Sequence, residues 1–493
     1  MVLPFRPRDP AAPDASNRRS LLARRCLPVA VPGMVMLGFG WFEATRPVLS
    51  WDEIATADAA HRSVAQIASL IHHVDGVFGV YYLAMHGWTA LFGDSVLSLR
   101  LPSILAMAGA AALTGELGRR LFGVVAGALA GLLVCLVPNL SRYAAEARPY
   151  AMACFFSVLA LVLLDRVLDR PSAARWAGYG AAILALGLSS VVAVAALAGH
   201  LVLLLVRDRR LLLPWSAVAG VAVLALSPMI WWGLHQRAAQ LHWVTPVTPG
   251  AVYTFPALLV GSAELAWLLI GLFLAAVIGL ADRIVETAAV ALVPMAVVLG
   301  ISLAGPSFWV NRYLLFVLLP VAVVAAAGLT RLVGAGRRWP GLAAAVAVFV
   351  AAALPGQIAV RQPTVKNGSD YRTMAAVIRQ RQLPGDDLVF ARGRTMRAGL
   401  DYYLRHDPGR PRDVLERRTA AQTGTLVADE YSDPAARLAT VARIWLVVYG
   451  HRVDPATGRP ELARLLHLSF RPIGLWAVSR GTMALYIRRS AAS

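Results

Sequence analysis

Residues 27–53 read LPVAVPGMVMLGFGWFEATRPVLSWDE: a short apolar segment, Leu27–Phe42, then a polar stretch that carries the acid pair Asp52-Glu53. From Leu99 to about Ala359 the chain is mostly hydrophobic enough for a bilayer interior. Two carboxylates at the lip of a membrane are costly to hold there, so an ionisable pair in this position is a functional feature by default. The competing reading is a solvated loop that happens to contain Asp-Glu.

Working outward, 493 residues with 58% hydrophobic and 15% charged content are too apolar for an ordinary soluble protein. Runs such as Ala153–Leu164, Ala181–Val206 and Val321–Leu329 are nearly free of charge, and a spanning helix needs roughly 20 apolar residues. The expectation is a polytopic α-helical membrane protein with about eleven spans, near 27–42, 98–117, 124–140, 150–168, 176–189, 190–206, 211–234, 263–281, 288–304, 312–332 and 341–358. The thirty apolar residues of 176–206 are divided near Ser189-Ser190, because one long helix would put Arg175 and Arg207 on opposite sides.

The net charge of +19 is distributed as arginine clusters between apolar runs: Arg18, Arg19, Arg24 and Arg25; Arg119 and Arg120; Arg166, Arg170 and Arg175; Arg207, Arg209 and Arg210; Arg331, Arg337 and Arg338. This positive-inside pattern assigns those segments, and the basic tail 1–26, to the cytoplasm of a plasma-membrane protein. Without aromatic interleaving it does not suggest nucleic acid as a partner. Lys366 is the sole lysine and reads as coding bias rather than chemistry. Cys26, Cys135 and Cys154 form no CxxC pair or disulfide framework. The first apolar run lacks a small-residue cleavage site and is expected to remain as a span rather than leave as a signal peptide.

Four segments then lie outside: loop 43–97, turn 141–149, loop 235–262 and turn 305–311. In the first, His61–Ile71 and Val80–Phe92 read as amphipathic helices along the membrane, the second with Tyr81, Trp88 and Phe92 suited to the interface. Residues 359–493 change composition into a small extracytoplasmic α/β domain. Its expected elements are a helix over Asp370–Gln382, strands over Asp387–Ala391 and Arg443–Tyr449, a helix over Ala398–Leu404, and a hairpin over Phe470–Ile487 broken at Arg480-Gly481.

The turn Ser141–Tyr150 places Arg142, Glu146 and Arg148 on the same side as Asp52-Glu53. A guanidinium fork suits phosphate, whereas a plain Glu–Arg cap is the alternative; if the turn is helical, Arg142 and Glu146 can pair and leave Arg148 free. Arg312 opens the tenth span, as a phosphate contact or as a snorkelling anchor. His72 and His73, with Asp75, read as structural or acceptor-contact residues before a metal site, although nearby carboxylates could hold a divalent ion. His200 is expected to be a satisfied packing residue, and His242-Trp243 with Tyr253 an aromatic belt, with contact to donor or acceptor as the alternative.

The order Ser50-Trp51-Asp52-Glu53, Gly79-Val80-Tyr81-Tyr82, His86-Gly87-Trp88, Leu99-Arg100-Leu101-Pro102-Ser103, Gly118–Gly123, Arg142-Tyr143, Glu146-Ala147-Arg148 and Asn311-Arg312-Tyr313-Leu314 resembles the bacterial family 39 glycosyltransferases of the GT-C fold. These are related to protein O-mannosyltransferases and to the aminoarabinose transferase of lipid A. The likeness covers roughly residues 40–330 and the C-terminal domain in outline. It implies transfer of a sugar, mannose being one candidate, from a polyprenyl-phosphate donor to an acceptor outside the cytoplasm. Asp52 would be the base and Glu53 its companion, with Arg148 and Glu146, joined by Arg142 and Arg312, serving the donor phosphate or a metal on it. His72, His73, Asp75, Tyr81 and Tyr82 would contact acceptor or substrate. Asp75-Gly76-Val77-Phe78 departs from the His-Pro-Pro that many relatives carry there, which leaves the acceptor open. Inverting transfer needs one carboxylate to take the acceptor proton, worth about 10²–10⁴-fold, while cations stabilise the leaving anion. The rivals are a transporter or lipid flippase, which would carry charges mid-span, and a catalytically silent envelope assembly protein.

Overall fold

The computed structural model describes residues 15–278, 281–333, 338–392 and 394–489. Residues 1–14 of the expected tail and Arg337 lie outside the described residues, as do the side chains of Arg18, Arg19, Arg24 and Arg25. Each apolar stretch predicted to span is helical. Among the described residues, six helices are long and apolar enough to cross a bilayer alone: Val96–Phe122, Tyr150–Asp169, Arg209–Gln240, Asp282–Ala304, Leu315–Val333 and Trp339–Ala359. Two bent pairs raise that to eight, Val124–Leu136 with Pro138–Ala144 at 72° and Pro249–Val260 with Ala263–Ile278 at 98°.

The remaining three expected spans have shorter apolar parts: Cys26–Trp41, which ends a 27-residue helix Ala15–Trp41, Val192–Arg207 and the 17-residue Ala173–Ser189. At 1.5 Å per residue those apolar parts reach about 25 Å, a little under a hydrocarbon core of about 30 Å. The break at Ser189-Ser190 is present, with Ser190 extended (φ −160°, ψ 114°).

Small residues let the first helices touch. A Cβ on Gly115 would lie 1.8 Å from the Pro28 carbonyl oxygen, and one on Gly131 2.4 Å from the Pro32 ring. Close backbone approach of this kind is how helices associate in lipid. Arg100 and Arg120 mark the two ends of one helix, roughly 30 Å apart. At the Arg120 end, Arg120 meets Asp165 at 2.6 Å and Arg207 meets Asp165 at 3.1 Å and Glu286 at 2.5 Å. Asp52, Glu53 and the C-terminal domain gather at the Arg100 end.

Residues 43–97 hold three helices where two were expected: Trp51–His61, Val64–His73 and Gly79–Phe92. Ser50 and Ser63 each open a capping box, with Glu53 and Gln66 as reciprocal partners. Asp52 and Glu53 therefore occupy the first turn of a helix rather than a loop.

In the C-terminal domain, β1 (Asp387–Arg392), β2 (Arg412–Asp413), β5 (Arg443–Tyr449), β6 (Phe470–Val478) and β7 (Gly481–Arg488) form one sheet, ordered β2-β1-β5-β7-β6. β3 (Glu416–Arg418) and β4 (Asp429–Glu430) pair separately. β1 is parallel to β2 and β5, while β7 is antiparallel to β5 and β6. Alternation along β5 sends Ile444, Leu446 and Val448 to a core under the Pro460–Ser469 helix. Trp445 and Val447 face the other way, into a core shared with Tyr371, Met374, Ala375 and Ile378 of the Tyr371–Arg381 helix. That second core continues into Ile54, Ala57, Ile67, Leu70 and Tyr82 of the 43–97 segment.

Candidate active site

The two acids of the pair part company because adjacent helical residues point about 100° apart. Glu53 turns inward, is fully buried, and lines no cavity at the site. Its Oε1 accepts from Arg100 Nε at 2.7 Å and the Ala147 amide at 3.0 Å. Its Oε2 accepts from Arg100 Nη2 at 2.9 Å, the Ser50 amide at 2.9 Å and Lys366 Nζ at 3.0 Å. Burial opposes ionisation, yet Arg100 and Lys366 outweigh it and hold the carboxyl far below the usual range.

Asp52 turns outward and stays 31% exposed. Arg148 Nη2 lies 3.2 Å from its Oδ1 and Arg312 Nη1 3.3 Å from its Oδ2. Burial would raise this carboxyl, but the two guanidinium groups prevail and keep it below the ordinary value, so it is ionised at neutral pH. Arg148 also lies over the Phe78 ring at 4.2 Å and donates to the Tyr82 hydroxyl at 3.1 Å. Arg312 sits 4.8 Å from the Trp243 ring.

Two cavities meet at Asp52, Trp243 and Arg312. The first, about 270 Å³, is largely apolar, with Phe78, the Ser189–Val192 break, Ile230, Leu234 and Phe308 in its wall. The second, about 570 Å³, is bounded by Trp51, Arg142, Tyr143, Glu146, Asn367 and Tyr449, so the C-terminal domain supplies part of its wall.

Of the other expected residues, Arg142 and Glu146 pair at 3.8 Å on the second cavity, while Arg148 is engaged by Asp52 rather than free. Asp75 lines the first cavity and accepts from the Tyr82 hydroxyl at 2.6 Å and from Gln240 at 3.3 Å. Burial, aided by Asp52, raises its carboxyl despite Arg148 and Tyr82. Asp75 has φ 58°, a left-handed geometry that aspartate tolerates better than most residues. Tyr81 and Tyr82 are buried beside the site and line neither cavity; Tyr82 bridges Asp75 and Arg148. His72 and His73 are exposed and directed elsewhere: His72 against Trp232 (5.4 Å between rings), His73 to the Ser69 carbonyl at 2.8 Å. The structure does not bring them to the chamber.

His242 and Trp243, expected as belt residues, line the second cavity, whereas Tyr253 is 70% exposed against Trp267. His200 is buried and bonded to the Tyr179 hydroxyl at 3.0 Å, as a packing residue should be. Among the described residues no three His, Cys, Asp or Glu side chains are grouped for a metal. At the site, Asp52 shares the first cavity with Asp75 and the second with Glu146.

Three groups escaped sequence reasoning. Lys366, which in the sequence reads as coding bias, is 1% exposed between Glu53 (3.0 Å) and Glu146 (3.7 Å). Arg100, quoted only as a motif residue, is fully buried on Glu53. Gln236 and Gln240 lie where the Leu212–Gln240 helix outruns its expected end; Gln236 Oε1 accepts from the Gly76 amide at 2.8 Å. The Ser-x-x-Glu pattern at 50–53 was the available signal for Glu53, and a lone buried-grade charge inside an apolar helix was the signal for Arg100.

Residues 78–232 match the model of the dolichyl-phosphate-mannose-protein mannosyltransferase family. No curated protein matches the chain in sequence. Among solved structures, ArnT from Cupriavidus metallidurans bound to undecaprenyl phosphate superposes with a TM-score of 0.61 at 16% identity, covering 96% of this chain and 98% of that one. Its apo form gives 0.60 at 15% identity with the same coverage. A zinc- and sulfate-bound oligosaccharyltransferase from Archaeoglobus fulgidus gives 0.49 at 13% identity, over 92% and 73%. The chain is a multi-pass membrane protein with the GT-C fold and a small C-terminal sheet domain.

Proposed function

We propose that the protein is an inverting membrane glycosyltransferase that moves a sugar from a polyprenyl-phosphate donor to an acceptor on the side of its C-terminal domain. The observation that carries this is the meeting of one partly exposed, ionised carboxylate with two guanidinium groups where two cavities join. The first cavity suits the first isoprene units and the phosphate, and the second, with Arg142, Glu146 and Asn367 in its wall, the acceptor. Undecaprenyl phosphate is bound by the structurally similar ArnT, which supports this donor class.

Asp52 is the base. A phosphate arriving between Arg148 and Arg312 draws their hydrogen bonds from Asp52, and its negative charge raises the Asp52 pKa. The carboxylate then takes the acceptor hydroxyl proton as the oxygen attacks the anomeric carbon and the C–O bond to phosphate breaks on the opposite face. Arg148 and Arg312 neutralise the departing phosphate. Glu53 holds the helix start and the turn in register. Loop 43–97 and the C-terminal domain limit water and so suppress hydrolysis.

The test is incubation of membranes with radiolabelled polyprenyl-phosphate sugars, mannose among them, followed by identification of the labelled fraction. Transfer by wild type and its near-complete loss in Asp52→Asn at equal expression are expected. Unchanged transfer in Asp52→Asn would refute the assignment and return the protein to the transporter or assembly classes.

A further inference from the structure

Beyond Ala359 the chain runs as a strap along the segment that leads into Asp52. The Pro363 carbonyl accepts from the Val48 amide at 3.0 Å. Gly368 passes so near that a Cβ would lie 2.2 Å from the Leu49 carbonyl oxygen. Lys366 lies between these two contacts. Its ammonium reaches Glu53, donates to the Ala145 carbonyl at 2.6 Å and lies near Glu146, yet it lines neither cavity. The C-terminal domain grips the strap through the β6–β7 turn. Arg480 Nη1 donates to the Lys366 carbonyl at 2.9 Å and the Asn367 side chain at 3.2 Å, and Ser369 donates to the Arg480 carbonyl at 2.8 Å.

These contacts form one polar chain from the domain to the chemistry. Glu53 is one residue from Asp52, and Glu53 also takes the amide of Ala147, one residue from Arg148. Removing Lys366 leaves two buried carboxylates, Glu53 and Glu146, without the cation they share, and frees the Ala145 carbonyl of the turn. The turn and the helix start then repel where they were pinned. Burial, together with Arg100, already pushes the Lys366 ammonium down to about 8 against the pull of both acids.

We infer that Lys366 is a positioning residue that completes the Asp52–Arg148 geometry only when the C-terminal domain is seated on the membrane bundle. The domain thereby licenses turnover as well as walling the acceptor cavity. The turnover half of this inference rests on the transferase reading above; the docking half does not.

Because the chain has a single lysine, an amine-reactive reagent read by mass spectrometry at residue 366 reports on the strap alone. In the full-length protein in lipid nanodiscs, wild type is expected to label slowly, and Arg480→Ala about tenfold faster as the clamp opens. Equal rates overturn the docking half. With polyprenyl-phosphate sugar, Lys366→Ala is expected to lower kcat about a hundredfold, the scale of a 1 Å misplacement, with the donor KM within about threefold. Added n-propylammonium should restore part of that kcat. A loss lying mainly in donor KM, or no loss, overturns the positioning role. Arg480→Ala, which keeps the ammonium, carries the kinetic test should Lys366→Ala not fold, and an unchanged kcat in it also overturns the coupling. If wild type transfers no sugar, the functional reading fails while the labelling comparison still decides the strap.

Discussion

At the scale of single residues, helical phase divides the acid pair into a carboxylate on the cavities and a buried one, and the proposed base and its buried neighbour predict opposite phenotypes. Asp52→Asn keeps the fold and loses about 10²–10⁴-fold in kcat. Glu53→Gln removes the carboxylate from beneath buried Arg100 and Lys366 and costs about 3–5 kcal/mol, which thermal unfolding in detergent will register. The pH behaviour separates the two as well. A base must be ionised, so kcat/KM of the free enzyme holds down to below the usual carboxylate range, following the lowered Asp52 pKa. Bound donor phosphate offsets Arg148 and Arg312 and raises that pKa, so the acid limb of kcat sits at higher pH than that of kcat/KM. Coincident limbs would argue against phosphate between the arginines. Glu53, with its folded pKa depressed, contributes stability above its ordinary value of 4.5 that is lost as pH falls. Asp52-Glu53 stands out in the sequence because charge at a membrane edge is conspicuous. Its division does not, because that depends on whether residue 51 begins a helix. Lys366 was illegible for another reason: its partners are more than 200 residues away.

At the scale of elements, hydropathy and arginine placement located the apolar helices because burial in lipid demands long uncharged runs. The same rule treated 235–262 as a loop. There, Pro249–Val260 is an apolar helix that turns 98° into its neighbour at Gly261 (φ 85°). The Ser189-Ser190 break was found from charge topology, but its place in the wall of the apolar cavity belongs to packing that no window of sequence reports. Close helix approach gives a sharper prediction. Gly115→Leu cannot fit beneath the Pro28 carbonyl, and the first helix must move away from Val96–Phe122. Overpacking of this kind costs about 1–3 kcal/mol or more, read as a fall in detergent unfolding temperature. Gly220→Leu, where a Cβ meets nothing within 4 Å, should leave that temperature unchanged.

At the scale of the whole molecule, the catalytic segment and the C-terminal domain share one hydrophobic core, sealed at its rim by Arg405–Asp94 at 2.5 Å and by Arg62 on the Thr425 carbonyl at 2.6 Å. Such a joint ties both to the same membrane face, while Asp165, Arg120 and Arg207 mark the other. The positive-inside rule leads us to expect a cytoplasmic arginine face, with the proposed transfer site and the domain facing outward. This orientation can be measured in whole cells. The native cysteines offer a clean background, since Cys135 and Cys154 are buried and Cys26 can be replaced by serine. On that background, a cysteine at exposed His451 beside β5 should react with a membrane-impermeant maleimide. One at exposed Arg209, on the arginine face, should react only after the cells are permeabilised. The reverse pattern would move Asp52 into the cytoplasm, where nucleotide-activated sugars rather than polyprenyl-phosphate sugars would have to reach it, and the donor assignment would fall with the topology.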